Sequence, residues 1–424
     1  MPSRDYREAI ARTVTRRGFL AGAAAATVAA GGLGSALAAS SDGIISTKLL
    51  TQALPARPYH PISWPIRNSN RPIPGGQLPE QDAVLQVFCW PGRVAQQCLD
   101  DFGRKYGCRV QLTTFSTMTE AVATLARQPT RFDVVLGATI AALGQLITGN
   151  LLQPLNQDYV PNIGQTWGEF IDPFYDQNWH YTVPYTIFTT GIGWRRDLVD
   201  ADPSALLNGW SVLWDARYAG KVGLLDDYRE GISLGLLENG VINLNTADPL
   251  LIDEAGRSLS GLVDLVQPRR STTAYSALGT GQLAITQAWS GQVAAAIKYL
   301  PAGMPKDVLG YWYPPDGAGP VASDLMVIPR GARSPVLAHL MLNFMLDQPN
   351  AVTNVRETGF MQPLTWMTPE RLVNDGVLPR NLVATAVLQD YFYRGSKILQ
   401  LQTGANALWQ QVWQSVATRM SLAA

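Results

Sequence analysis

From Pro79 onward the apolar and polar positions fall into an alternating strand and helix rhythm. Residues 83–90 (AVLQVFCW) make a strand-like apolar run, and Val94, Cys98, Phe102 and Tyr106 then recur every four residues. That spacing is the buried stripe of an amphipathic helix. Arg109–Phe115 reads as a second strand. Thr117 and Glu120 form a capping box that opens a helix over 121–127. Residues 132–137 (FDVVLG) are nearly continuous in apolar character, as in a strand covered by helices on both faces of a parallel sheet. A further helix is predicted over 141–147. The order β-α-β-α-β-α predicts a doubly wound α/β lobe.

A second segment begins near Gly191. Trp194, Trp210 and Trp214 lead to a strand over Lys221–Leu225, which ends abruptly in Asp226, Asp227, Arg229 and Glu230. A helical stretch over 292–300, a Pro/Gly passage over 313–319, a strand over 325–329 and a periodic helix around 339–346 follow. No internal repeat breaks this order. The acids after the strand have two readings. Asp226 or Asp227 can cap a helix through 232–237, where the dipole favours carboxylates. Alternatively, Asp227 and Glu230, three apart on a first turn, point together into a site beyond the carboxyl end of a strand.

The N-terminus changes the compartment. Arg16-Arg17 and Phe19-Leu20 precede a small-residue apolar run over 21–30, and Ala36-Leu37-Ala38 closes it as a cleavage site. This order predicts a twin-arginine export signal over 1–38 and a periplasmic or extracellular protein. No Cys follows the run, so no lipid anchor is expected. Residues 39–82 form a Pro-rich leader with seven prolines, in which Trp64 and Ile66 are placed to pin the segment to a folded lobe. Without residues 1–38 the chain loses five arginines and two acids from 33 of each, which leaves 28 and 31 and a net charge of −3. That balance argues against a nucleic-acid partner. About 385 residues exceed one ordinary core and suit two lobes.

Candidate enzyme chemistry finds little support. His60, His180 and His339 stand apart, and none has a nucleophile or metal-ligand neighbour at useful spacing. Gly191-Ile192-Gly193 lacks the rest of a dinucleotide fingerprint, and Ser290 lacks the glycine that precedes the nucleophile in an elbow. Paired-carboxylate hydrolysis through Asp227 and Glu230 is the one enzymatic alternative. Cys89, Cys98 and Cys108 have no metal spacing; small buried residues around one helix are the favoured reading, with a Cys98–Cys108 bridge as the alternative. No cofactor and no metal are expected.

Eight segments in order give the chain a resemblance. They are FCWPG (88–92), FDVVLG (132–137), GNLLQPLN (149–156), VPYTIFTTGIGW (183–194), WSVLWDARYAGKVGLLDDYRE (210–230), AWSGQVA (288–294), SDLMVIPRGA (323–332) and LNFMLDQPNAVTNVRETGFMQP (342–363). From about residue 83 to about 365 the sequence resembles the extracellular solute-binding proteins of ABC importers, in particular their spermidine/putrescine-binding branch. The resemblance implies an α/β fold of two lobes, the type II periplasmic-binding-protein fold, each lobe a doubly wound sheet flanked by helices. It implies ligand in the interlobe cleft, an ABC permease as membrane partner and a monomer that is not an enzyme. The expected division places 83–190 with 323–365 in the first lobe and 191–322 with 366–424 in the second, with closure about crossings near 188–191 and 321–324.

Carried over by position, the resemblance makes Trp90 and Trp289 aromatic walls and Asp227, Glu230 and Asp324 acceptors for ammonium groups, which leaves Asp226 as the expected cap. Phe360 takes the place of a ring that usually bears a hydroxyl. Arg93 stands where the family has a tyrosine, Thr139 replaces another, and Ala322 replaces a tryptophan. The aromatic box is thinned and holds a cation of its own. Two ligand classes therefore stay open: a polyamine, with Arg93 paired internally, or another small solute such as an amino-acid derivative or zwitterionic amine whose carboxylate meets Arg93.

Overall fold

The computed structural model describes residues 56–423; the predicted export signal lies outside them. The chain runs β1 (Val84–Cys89), α1 (Gln96–Tyr106), β2 (Arg109–Thr114), α2 (Met118–Arg127), β3 (Val134–Thr139), α3 (Ile140–Thr148) and β4 (Val183–Arg195). It continues through β5 (Val222–Leu224), α4 (Tyr228–Glu238), α5 (Pro249–Val266), β6 (Arg269–Arg270), α6 (Tyr275–Thr280), β7 (Ile285–Trp289) and α7 (Ser290–Ala295). Then come β8 (Leu309–Trp312), β9 (Val321–Val327), α8 (Pro335–Met345), α9 (Gln348–Thr358), α10 (Pro369–Asn374), α11 (Gln389–Arg394) and α12 (Thr403–Ala423).

One long strand organises the sheet. Residues 183–189 of β4 pair antiparallel with β9, which continues through β3 and β1 to β2. Residues 190–194 of the same strand pair with β7, which leads to β5 and β6, and β8 takes residues 192–195 on the other edge. The β1–β2 and β1–β3 ladders are parallel, as the alternation predicted, and so are β5–β6 and β5–β7. The crossing of β4 falls at Thr189–Thr190, inside the expected window. β9 starts at Val321 rather than at the expected residue 325, because Ala322 and Ser323 still pair with β4. α2 begins at Met118, three residues before its predicted start. Thr117 Oγ1 accepts from the Glu120 backbone N–H, and Glu120 Oε2 accepts from Ser116 N–H.

Two large apolar cores flank the crossing. Leu85, Phe88, Phe102, Leu136, Tyr185, Leu342 and Val355 belong to the first; Trp210, Leu224, Leu236, Leu259, Trp409 and Trp413 belong to the second. Trp64 of the leader joins the first core and donates its indole N–H to Tyr175 O at 2.7 Å, whereas Ile66 stays largely exposed. One expected boundary is corrected. Met367, Leu372, Leu378, Val387 and Phe392 pack into the first core, whereas Leu382 between them packs with Leu278, Ala288 and Tyr311 in a third cluster, so 366–392 is not part of the second lobe as a whole. Only from Leu401 does the chain join the second core, through Trp409, Trp413, Val416 and Met420 of α12.

The cysteines are free, with Cys89 and Cys98 buried in the first core. His339 is a packing residue: its Nε2 accepts from the Asn156 backbone N–H at 3.0 Å inside α8's buried face. No helix among the described residues is long and apolar enough to cross a membrane.

Candidate functional site

Where β4 passes from one core to the other, a separate cluster of Phe188, Leu225, Trp289 and Phe360 is buried, with Ala322 against it. Each member arrives on a different element. Phe188 comes from β4, Trp289 from the end of β7, and Phe360 from the turn after α9. Gly359 makes that turn with φ +78°, and a Cβ there would meet Gly291 O at 2.1 Å. The rings meet edge to face: Phe188 and Phe360 lie 5.6 Å apart at 88°, Phe188 and Trp289 5.7 Å apart at 61°.

The centre of this box is filled by Arg93. Its guanidinium carbon lies 3.5 Å from the Phe360 ring centroid, 4.5 Å from that of Phe188 and 4.8 Å from that of Trp289. Gly92, at φ +68°, turns the chain after Trp90-Pro91 and delivers Arg93 inward. The Arg93 carbonyl accepts from Tyr185 Oη at 2.7 Å, which fixes the backbone from β4. Asn354 on α9 accepts from the Ala95 N–H at 2.9 Å and braces the same loop. Arg93 is 3% exposed, and its Nη1 lies 3.6 Å from Asp324 Oδ2 on β9. At that distance the two form an ion pair without a direct hydrogen bond, and Nη1 has no hydrogen-bond partner. Asp324 accepts instead from Thr186 Oγ1 at 2.9 Å. Burial raises the Asp324 carboxyl, against the pull of Arg93 and Thr186, while burial lowers Arg93 against the pull of Asp324. A guanidinium stays charged in proteins, so the pair is ionic.

Glu230 lies in the first turn of α4, beneath Trp289. Its Oε1 accepts from Trp289 Nε1–H at 2.8 Å and from Thr190 Oγ1 at 3.1 Å, while Oε2 is buried without a partner. Burial pushes its carboxyl up to about 7, opposed by the Trp289 hydrogen bond. A half-satisfied buried carboxylate is costly unless a donor or cation completes it.

Of the residues predicted from sequence, Arg93, Trp289, Asp324 and Phe360 are brought into direct contact, and Glu230 joins them through Trp289. Trp90 stands at the edge: its indole N–H is spent on Gly137 O at 2.8 Å, and its ring packs on Phe115. Together with Arg93, Trp289, Gln292, Tyr275 and Phe360 it lines a cavity of about 80 Å³. Gln292 Oε1 is a buried acceptor there without a partner.

The acids at the head of α4 divide differently from the expectation. Asp227, not Asp226, is the N-cap: its Oδ1 accepts from Arg229 N–H at 2.8 Å and Glu230 N–H at 3.1 Å. Asp226 is exposed, two residues past the end of β5 at Leu224, and pairs with Arg270 of β6 at 2.7 Å. The carboxylate facing Arg93 is supplied by the chain's own Asp324. Phe188, Thr186, Thr190 and Gln292 were missed. The first three alternate along β4, a period-two signal that is masked because every residue of that strand is buried.

Among the described residues, no group of three or more His, Cys, Asp or Glu is placed to hold a metal. The chemistry this arrangement offers is recognition of a cation in a dry, aromatic-walled site.

Comparison with known proteins agrees in fold. A putrescine/cadaverine-binding protein of Pseudomonas aeruginosa is 27% identical over 286 residues, which is 65% of this chain and 78% of that protein. The spermidine/putrescine-binding periplasmic protein of Escherichia coli is 26% identical over 286 residues, covering 67% and 78%. The solved structure of the substrate-binding protein PotD of a spermidine/putrescine ABC transporter from Streptococcus pneumoniae superposes with a TM-score of 0.62. It is 22% identical and covers 80% of this chain and all of that one. The two-lobe fold of the periplasmic binding proteins is thus that of this chain. Residues 97–370, well over half of the sequence, match a single family model, and on that span the chain belongs to the bacterial extracellular solute-binding proteins.

Proposed function

We propose that the protein is the substrate-binding component of an ABC importer, capturing a polyamine outside the membrane and delivering it to a permease. The observation that carries this reading is the unpartnered Glu230 Oε2, buried between the two cores beside Trp289 and the Asp324–Arg93 pair. An ammonium group is the donor that such an oxygen lacks, and tryptophan faces suit the methylenes and the charge. The polyamine-binding names of the relatives in Pseudomonas aeruginosa and Escherichia coli support the same class.

Glu230, Trp289 and Asp324 are the contacts of this proposal, with Trp90 and Phe360 as walls. Asp227 acts by holding the first turn of α4, from which Glu230 reaches Trp289 and Thr190. Residues from both cores meet at the box, so closure about the β4 and β9 crossings would draw them onto one ligand and strengthen each charged contact by excluding water. Binding without turnover, a monomeric state and export by the twin-arginine route through Arg16-Arg17 belong to the same proposal.

Calorimetric titration of the full chain with putrescine, cadaverine, spermidine and 4-aminobutyrate tests it. Micromolar, salt-sensitive binding of at least one polyamine is expected. Glu230→Gln should weaken that binding by a factor of ten or more, since a charge-assisted hydrogen bond contributes roughly 1.5–3 kcal/mol. Heat with 4-aminobutyrate alone would move the ligand to the zwitterionic class.

A further inference from the structure

Resting on the polyamine reading, we infer that Arg93 is a resident cation that occupies one ammonium seat of the box and so sets the ligand to a short diamine rather than a triamine. Three observations converge. The guanidinium already lies within 5 Å of three ring centroids, 3.5, 4.5 and 4.8 Å, so one cation seat of the box is taken. Its charge already serves Asp324, with which it forms an ion pair at 3.6 Å. The buried acceptor that still lacks a donor among the site's acids is Glu230 Oε2.

Charge gives the same result. Asp227, Glu230 and Asp324 carry three formal negative charges, and Arg93 cancels one. Arg229, next in sequence to Glu230, also acts on Asp227 and Glu230 and offsets part of their charge with or without Arg93. Lys298 and Glu357 at the cavity rim neutralise each other at 2.5 Å, as do Asp226 and Arg270. Arg229 turns away from the cleft, donating to Leu399 O and Leu244 O and lying over Trp409 in the second core. What Arg93 decides is the difference: with it the site carries one negative charge fewer and favours the less highly charged amine. Without Arg93 the site would gain one negative charge, which favours the more highly charged amine, with an empty aromatic seat beside Asp324 to receive it.

Arg93 is held for this role by its backbone as well as its charge. Tyr185 Oη on the Arg93 carbonyl and the left-handed Gly92 keep the loop turned inward even when the side chain is changed. A substitution therefore empties the seat without releasing the loop.

The test is a titration of full-length wild type, Arg93→Gln and Arg93→Lys with putrescine and spermidine. Wild type is expected to prefer the diamine. Arg93→Gln should shift the spermidine-to-putrescine affinity ratio toward spermidine by about tenfold or more, equivalent to about 1.4 kcal/mol. Arg93→Lys, which keeps a cation at the seat, should retain the wild-type order. If Arg93→Gln fails to melt cooperatively, Arg93→Met fills a similar volume without charge and is titrated in its place. An unchanged ratio, with both amines still bound, overturns the role of Arg93 and leaves the polyamine reading standing. Absence of any amine binding by cooperatively folded wild type and variants overturns both.

Discussion

At the scale of single residues, Glu230 is the most exacting position. Its carboxyl, raised to about 7 by burial, holds a proton in the folded protein over a range where the unfolded chain has released it. The folded state binds more protons between about pH 4.5 and 7, so this residue makes the empty protein less stable as pH rises through that window. His339, whose burial lowers its basicity, works in the opposite sense below its ordinary value. The comparison is therefore wild type against Glu230→Gln. Thermal melts between pH 5 and 7.5 should show wild type losing on the order of 1 kcal/mol relative to the variant as pH rises. Amine binding has the reverse dependence, because it requires the carboxylate. Affinity measured by calorimetry should fall as pH drops below 7, with proton release on binding. Flat affinity from pH 5 to 7.5 would remove Glu230 as the ammonium acceptor.

At the scale of elements, α4 illustrates what a cap does for a site. Asp227 satisfies two backbone donors of the first turn, and the second of them is that of Glu230 itself. Asp227→Ala should cost about 1 kcal/mol of stability, in the 0.5–2 kcal/mol range for lost caps, and Asp227→Asn or Asp227→Ser should restore most of it. Chemical denaturation separates this from a direct ligand role: a variant that keeps full stability and loses affinity would make Asp227 a contact. The elements were the legible part of this sequence. Periodicity placed β1, α1, β2, α2, β3 and α3 in order, because half-buried elements write their faces into the pattern. The resemblance gave the cap to Asp226 where the structure gives it to Asp227, because the choice is made by where β5 stops and by Arg270 lying across from Asp226. Periodicity could not assign 366–392 to a core, because an apolar stripe does not say which partner it meets. The pairing of Arg93 with Asp324 joins residues far apart in the chain, so each was recognisable by type while their contact was not. Phe188 was hidden because β4 is buried throughout.

At the scale of the molecule, the second core depends on α12. Trp413 packs so closely over Gly231 that a Cβ there would meet its ring at 2.0 Å, and Trp409 donates its indole N–H to Thr246 O at 3.0 Å. Gly231 is the next residue after Glu230, so the helix that closes the core also seats the site. Removing residues 403–424 should therefore uncover α4 and α5 and abolish amine binding together with the cooperative melt of the second core. Hydrogen exchange should show lost protection over 228–238 and 249–266, with the ladder of β1, β2 and β3 still protected. Gly231→Val should reproduce part of this by forcing Trp413 aside, at a cost of several kcal/mol for a clash in a packed core. A variant that binds amines normally without α12 would show that the helix is a cover and not a support.

That closely packed helix also sets an order of events during synthesis. Residues 222–289 supply every strand of the second core except β4 and β8, yet their apolar faces have no lid until residues near 409–420 have left the ribosome. For the whole interval in which the intervening chain is translated, α4 and α5 are exposed surfaces seeking cover. Ribosome-bound chains halted before residue 400 should accordingly be caught by chaperones and cut by protease between 228 and 266, and chains released at full length should not.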